Sequence, residues 1–196
     1  MRVPVAVLLW DFGDTLVDER WLRQAPPEFP DWSDAWNEVM EACADDWNIG
    51  RASERDVFAA MGRLTGLSID FVERHAEACC RSITFHPFTW RVATERRLPQ
   101  ALVTVNPDLF VERVAPRYGL GDHFDAVVVS CSEGTDDKTT LCEVALERVG
   151  FSDARVDALL IDNRRDLAEG WRRSGGSAYV YRGDEAFEAD LPTLLG

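Results

Sequence analysis

The sequence predicts an α/β fold: a doubly wound parallel, Rossmann-like sheet with a small helical cap inserted after the first strand. Three observations predict it. An apolar run, Val3–Trp10, opens the chain and ends on an aspartate. The next 70 or so residues, roughly 18–86, carry helical patterns and no strong strand. From Pro87 onward, apolar runs alternate with helical patterns to the end, the signature of right-handed βαβ units.

Val3–Trp10 is apolar throughout, as a strand covered on both faces must be. In Asp31–Asn48, Trp32, Ala35, Trp36, Val39, Met40 and Cys43 recur at helical spacing, and Gly50 closes the segment. Ser53 opens a second helix with Asp56 three residues on, a weak capping box. Ser68–Arg81 is a third. A helix near Phe88–Arg97 precedes the run Ala101–Val105. Another helix is expected from Pro107, with Asn106 as its cap. Further runs at Ala126–Ser130, Ala158–Ile161 and Ala178–Tyr181 alternate with helices near Thr139–Val149, ended by Gly150, and Asp166–Ser174. The division that follows is a core of residues 1–17 and 87–196, with 18–86 as the insert.

With 196 residues, the chain has room for one core domain and a small insert. Its 46% apolar content is that of a globular protein. The net charge of −14 argues against nucleic acid or an anionic membrane as partner. An anionic substrate stays open, because a local cation reverses the potential inside a pocket. The five cysteines, Cys43, Cys79, Cys80, Cys131 and Cys142, form no CxxC pair and read as reduced thiols of a cytoplasmic protein. Val3–Trp10 is too short to span a bilayer and carries no cleavage pattern, so no targeting segment is expected. His75, His86 and His123 share no spacing and read as structural. Trp21, Trp32, Trp36 and Trp47 read as packing within an insert that has little core of its own. Asp184, Glu185, Glu188 and Asp190 read as a solvated face.

In doubly wound sheets ligands sit at the carboxyl ends of the strands. Here those ends are polar. The first is Asp11-Phe12-Gly13-Asp14-Thr15-Leu16, the second Thr104-Val105-Asn106, and the fourth Asp162-Asn163-Arg164-Arg165-Asp166; Lys138 follows the third. Convergence of Asp11, Asp162 and Asp166 would be strongly repulsive without a cation. A hard cation such as Mg²⁺, bound through oxygens and water, relieves it. Gly13 allows a tight turn and leaves room beside Asp11. Lys138 would offset phosphate charge, and Thr15 or Asn106 would donate hydrogen bonds to phosphate oxygens. Arg23, early in the insert, is a candidate for the substrate pocket.

Asp11–Leu16 resembles the first motif of the haloacid dehalogenase (HAD) superfamily, an apolar strand followed by DxDxT[LV]. The resemblance extends over nearly the whole chain. Asn106 sits where the second motif ends, Lys138 matches the lysine of the third, and Asp162 and Asp166 match the acidic pair of the fourth. The insert resembles a helical cap of the first type. The resemblance implies that Asp11 is a nucleophile forming an aspartyl-phosphate. It implies metal ligation by Asp11, the Gly13 carbonyl, Asp162 and Asp166, with Lys138 steadying nucleophile and phosphate.

Two positions depart from the pattern. Phosphatases of the family place a second aspartate, the general acid and base, where this chain has Gly13. Losing such a group costs roughly 10²–10⁴-fold in rate. Asp14 is one substitute. In the second motif the Ser or Thr expected before Asn106 is Val105, and Thr104, one residue earlier, is expected to point the other way along the strand. The expected activity is Mg²⁺-dependent hydrolysis of a small phosphorylated metabolite, slowed by Gly13. The alternatives are a dehalogenase or C–P hydrolase, and a catalytically weak module that binds metal and phosphate and serves regulation.

Overall fold

A computed structural model describes residues 5–95 and 97–195. Five parallel strands form one sheet in the order β3-β2-β1-β4-β5. They are β1 (Val7–Trp10), β2 (Gln100–Thr104), β3 (Ala126–Val129), β4 (Ala158–Asp162) and β5 (Ser177–Val180). The strands fall at the apolar runs because only segments apolar on both faces can lie between two helical layers. The first is shorter than the run that predicts it, and Val3 lies outside the described residues.

Side-chain alternation sorts the strands into two cores. Val7, Leu9, Ala101, Val103, Val128 and Leu160 pack on one face with Leu141, Cys142, Ala145, Leu146 and Trp171. Those last residues come from α5 (Lys138–Arg148) and α6 (Arg165–Arg173), which follow α1–α4 below in chain order. Leu8, Trp10, Leu102, Leu159 and Ile161 face the other way, toward Phe110 and Phe187. Phe187 belongs to the last helix, α7 (Asp184–Leu195). Each such side chain, fully buried, contributes about 1.5–3 kcal/mol.

Between β1 and β2 lie a short 3₁₀ turn, Glu19–Arg23, and helices α1 (Trp32–Asn48), α2 (Glu54–Thr65), α3 (Ile69–Arg81) and α4 (Pro87–Thr94). The chain leaves and re-enters the core at neighbouring points. Val17 bridges Phe85 antiparallel. The Asp18 amide donates to the Thr84 carbonyl at 3.2 Å and the His86 amide to the Leu16 carbonyl at 2.8 Å. Ser53 caps α2 in a reciprocal capping box with Asp56. Trp32, Trp36 and Trp47 are buried, Trp32 stacked on Trp36 and Trp47 edge-on to it, so much of the core of this segment is indole.

Two expectations need correction. Asn106 caps no helix: the helix begins at 108, and its turns over Phe110–Val114 are wide π turns. Pro116, two residues further, has no N–H to give a regular helix. The acidic tail is the helix α7 rather than a merely solvated face. Asp184 reaches across to α4 and accepts the amides of Phe88 at 2.8 Å and Thr89 at 3.0 Å. That capping replaces the one His86 does not supply. No helix among the described residues is long and apolar enough to cross a membrane.

Candidate active site

Strand order decides where a site can form. From β1 the chain runs outward through β2 and β3, then returns to build β4 and β5 on the other side. The crevice at such a reversal opens over the carboxyl ends of β1 and β4. Trp10 pairs in register with Ile161, and the Asp11 amide donates to the Ile161 carbonyl at 2.9 Å. Register alone therefore sets Asp11 beside Asp162.

Lys138, the first residue of α5, fills the space between them. Its Nζ lies 2.5 Å from Asp11 Oδ1 and 3.0 Å from Asp162 Oδ2, and it donates to the Val103 carbonyl at 2.7 Å. The side chain is 2% exposed, that of Asp162 0% and that of Asp11 13%. Burial opposes a charge on Lys138, but Asp11 and Asp162 outweigh it and hold the ammonium above its ordinary range. Burial pushes the Asp11 carboxyl upward. Lys138 pulls it down, Asp162 adds to the rise, and the balance lies above the usual carboxylate value.

Thr15 is buried. Its hydroxyl donates to Asp11 Oδ2 at 3.4 Å and accepts the Asn163 amide at 3.1 Å. Asp162 Oδ1 accepts the Arg164 amide at 2.8 Å. Asp162 Oδ2 is in ion-pair range of Lys138 yet has no aligned hydrogen bond, a buried oxygen with coordination to spare. Asn106 Nδ2 donates to Thr104 Oγ1 at 2.7 Å, and both residues line the cavity. Thr104, the last residue of β2, and Val105 after it both line the cavity. A cavity of about 170 Å³ is lined by Asp11, Gly13, Thr104, Asn106, Lys138, Asn163 and Arg164 among others.

Two candidates lie apart from this cluster. Asp166 sits on the exposed first turn of α6, 65% exposed, and pairs with Arg164 at 2.7 Å. The expected meeting of three carboxylates is therefore a meeting of two, and no group of three His, Cys, Asp or Glu side chains among the described residues is placed to hold a metal ion. Asp14 is exposed and accepts the Glu19 amide at 3.0 Å, so its carboxylate is engaged in the loop. It also carries the positive φ of this loop, +50°, which Gly13 does not. Gly13 is needed for space, not for turning. Arg23 is exposed and lines a second cavity, of about 260 Å³, with Trp21, Trp36, Met40, Trp47 and Leu109.

Three residues in or around the site carry no motif signal. Ser130 is buried and accepts the Asn106 amide at 2.9 Å while its hydroxyl lies 2.5 Å from the Asn48 carbonyl, so it joins α1 to the β2 end. Asp108 accepts the Trp47 indole at 2.7 Å and the Glu54 amide at 3.0 Å. Glu19 lines both cavities. Glu19 is an exposed residue whose carboxyl is tucked against Gly13; burial there lifts the carboxyl above the ordinary range, with Asp14 adding to the rise and Arg23, Arg164 and Lys138 opposing it. A glycine at 13, leaving the usual second carboxylate to another position, is the only hint of Glu19 in the sequence.

No family model matches the sequence, and no curated protein does. Solved structures do match. The HAD family enzyme bt-2542 of Bacteroides thetaiotaomicron superposes with a TM-score of 0.71 at 12% identity, covering 96% of this chain and 99% of that one. The chain has the haloacid dehalogenase fold. L-2-haloacid dehalogenase of Xanthobacter autotrophicus, with chloropropionic acid covalently bound, shares the HAD fold at a TM-score of 0.67 and 16% identity, over 96% of this chain and 83% of that one. A second structure of the Bacteroides enzyme, in complex with magnesium and inorganic phosphate, superposes with a TM-score of 0.66 at 12% identity, over 91% of this chain and 95% of that one. The Asp11–Lys138–Asp162 cluster occupies the strand-end crevice of this HAD fold.

Proposed function

We propose that the chain is a hydrolase of the HAD superfamily that cleaves small phosphate monoesters through an aspartyl-phosphate on Asp11. One observation carries this reading: the buried carboxylate of Asp162 and the largely buried one of Asp11 share a single buried ammonium beside the cavity. Lys138 holds Asp11 Oδ1 and leaves Oδ2 with only one long hydrogen bond, so Oδ2 is the oxygen free to attack phosphorus. As the new P–O bond forms, the bond to the leaving group breaks. Water then attacks the same phosphorus, releasing orthophosphate and restoring the Asp11 carboxylate. Asn106, which lines the cavity, would orient a phosphoryl oxygen.

The donors suit Mg²⁺, which binds through one or two carboxylates plus substrate phosphate and retained water. Asp11, Asp162 with its underused Oδ2, and the Gly13 carbonyl would hold it; Asp166, paired with Arg164, would not serve directly. When bound, the cation offsets charge on the phosphoryl oxygens. The complex of the Bacteroides enzyme with magnesium and phosphate supports this assignment. The net charge of −14 supports a small phosphorylated molecule as substrate, in the cytoplasm, rather than nucleic acid or an anionic membrane. The test is phosphate release from 4-nitrophenyl phosphate and a metabolite panel with and without Mg²⁺. The wild type should turn over only with Mg²⁺ and Asp11→Asn should fall to background; equal rates in the two proteins would refute the reading.

A second reading has an observation of its own. Lys138 already neutralises the carboxylate pair without a metal, and Gly13 carries no acid, as a carbon–halogen bond would require none. The fold of the Xanthobacter dehalogenase is the same. Halide release from 2-chloropropionate in the presence of a chelator would favour this reading over the first.

A further inference from the structure

Gly13 stands where the family's phosphatases carry their second aspartate, and the space it leaves is not empty. A Cβ built on Gly13 would lie 2.7 Å from Glu19 Cδ and 2.8 Å from Glu19 Oε1. The Glu19 carboxylate thus occupies the volume that a side chain at 13 would need. The loop is shaped to put it there. Asp14 takes the left-handed conformation, φ +50°, and its carboxylate accepts the Glu19 amide at 3.0 Å, which starts the turn Glu19–Arg23.

The two cavities meet at this point. The smaller holds Asp11, Lys138 and Asn163; the larger is walled by Trp21, Trp36, Met40 and Trp47. Four residues line both: Glu19, Asn48, Val105 and Asn106. A monoester with its phosphoryl group at Asp11 and its organic part among the indoles places the bridging oxygen at that junction. Of the four residues there, only Glu19 can exchange a proton; an amide or a valine cannot.

We propose that Glu19, reaching in from the inserted segment, is the acid and base that position 13 lacks, and that the larger cavity takes an aryl or similarly flat apolar leaving group. This rests on the phosphomonoester reading. As Asp11 Oδ2 bonds to phosphorus and the P–O bond to the leaving group breaks, Glu19 gives its proton to the departing oxygen, releasing an alcohol or phenol. The Glu19 carboxylate then takes a proton from the water that attacks the aspartyl-phosphate. Orthophosphate leaves, the Asp11 carboxylate is restored, and Glu19 is again protonated. The sum is ester plus water to alcohol plus phosphate.

The experiment compares wild type, Glu19→Gln, Glu19→Ala and the double variant Gly13→Asp/Glu19→Ala, with Mg²⁺, on phenyl phosphate and 4-nitrophenyl phosphate, following release of the phenol in the first turnover. Nitrophenolate leaves without a proton; phenolate does not leave readily. Glu19→Gln should lose about 10²–10⁴-fold on phenyl phosphate and less than about 10-fold on 4-nitrophenyl phosphate. The double variant, its carboxylate moved to position 13, should recover at least about 10-fold over Glu19→Ala. A Glu19→Gln rate within about twofold of wild type on phenyl phosphate, or an equal loss on both esters, overturns the role of Glu19 alone. Absence of Mg²⁺-dependent release by the wild type from both esters overturns the phosphatase reading beneath it.

Discussion

Lys138 Nζ donates to Asp11 Oδ1 and to the Val103 carbonyl and lies 3.0 Å from Asp162 Oδ2, within ion-pair range. An ammonium so enclosed is worth little as an isolated ion pair, but its removal leaves buried like charges facing one another, which costs about 3–5 kcal/mol. Lys138→Met should therefore lower Tm by roughly 10 °C as well as abolish activity. A melting curve that moves by less than about 2 °C would show that the carboxylates do not depend on this cation. The meeting of Asp11, Lys138 and Asp162 is legible in the sequence because each follows an apolar strand and strand ends share one rim. Asp166 is misplaced by the same logic. It is on the right rim, but Arg164, two residues away, turns it to solvent. Glu19 and Ser130 are illegible because their positions come from a loop conformation and a tertiary hydrogen bond, not from any periodicity.

Helices and strands follow their local signals where burial is simple. The apolar runs become the strands, and Ser53, Ser68, Gly50 and Gly150 punctuate helices where the residue types require. The element that breaks the pattern is α7. Its acidic first turn suits a helix start, but Pro192 inside it breaks the helical signature. Its place is set by Phe187, buried between β-sheet and α4, and by Asp184 capping α4 from across the core. Burial raises the Asp184 carboxyl, but the Thr89 hydroxyl and the amides of Phe88 and Thr89 outweigh it, and it lies below the usual carboxylate value. A group depressed on folding stabilises above its unfolded pKa and loses that contribution as pH falls through the folded one. Asp184→Ala should cost about 1 kcal/mol at pH 7, roughly 2–4 °C in Tm, and the gap from wild type should narrow at pH 3. An unchanged gap at both pH values would mean that the charge on Asp184 does not matter.

At the scale of the whole molecule, the inserted helices must be held over the crevice by contacts remote in sequence. Asp108 ties α1 and α2 to the end of β2 through Trp47 and Glu54. Arg113 gathers Glu54 at 2.6 Å, Glu73 at 3.0 Å and Glu77 at 3.4 Å, with its side chain 17% exposed. In a chain of net charge −14, three carboxylates around one guanidinium become a repulsive patch when it is removed. Arg113→Met should cost roughly 2 kcal/mol, about 4–8 °C in Tm, and should speed limited proteolysis within residues 19–81 more than in the sheet. Unchanged melting and an unchanged cleavage pattern would show that the insert is held by apolar packing alone. None of these pairs is visible in the sequence, since each joins residues more than 35 positions apart.

In the proposed mechanism Asp11 captures phosphorus as an aspartyl-phosphate. Protein quenched in acid during turnover of 4-nitrophenyl phosphate with Mg²⁺, reduced with borohydride and digested, should carry homoserine in place of aspartate at position 11, the product of reducing an acyl phosphate. Homoserine at Asp14, Glu19 or Asp162, or at no position while phosphate is being released, would contradict it.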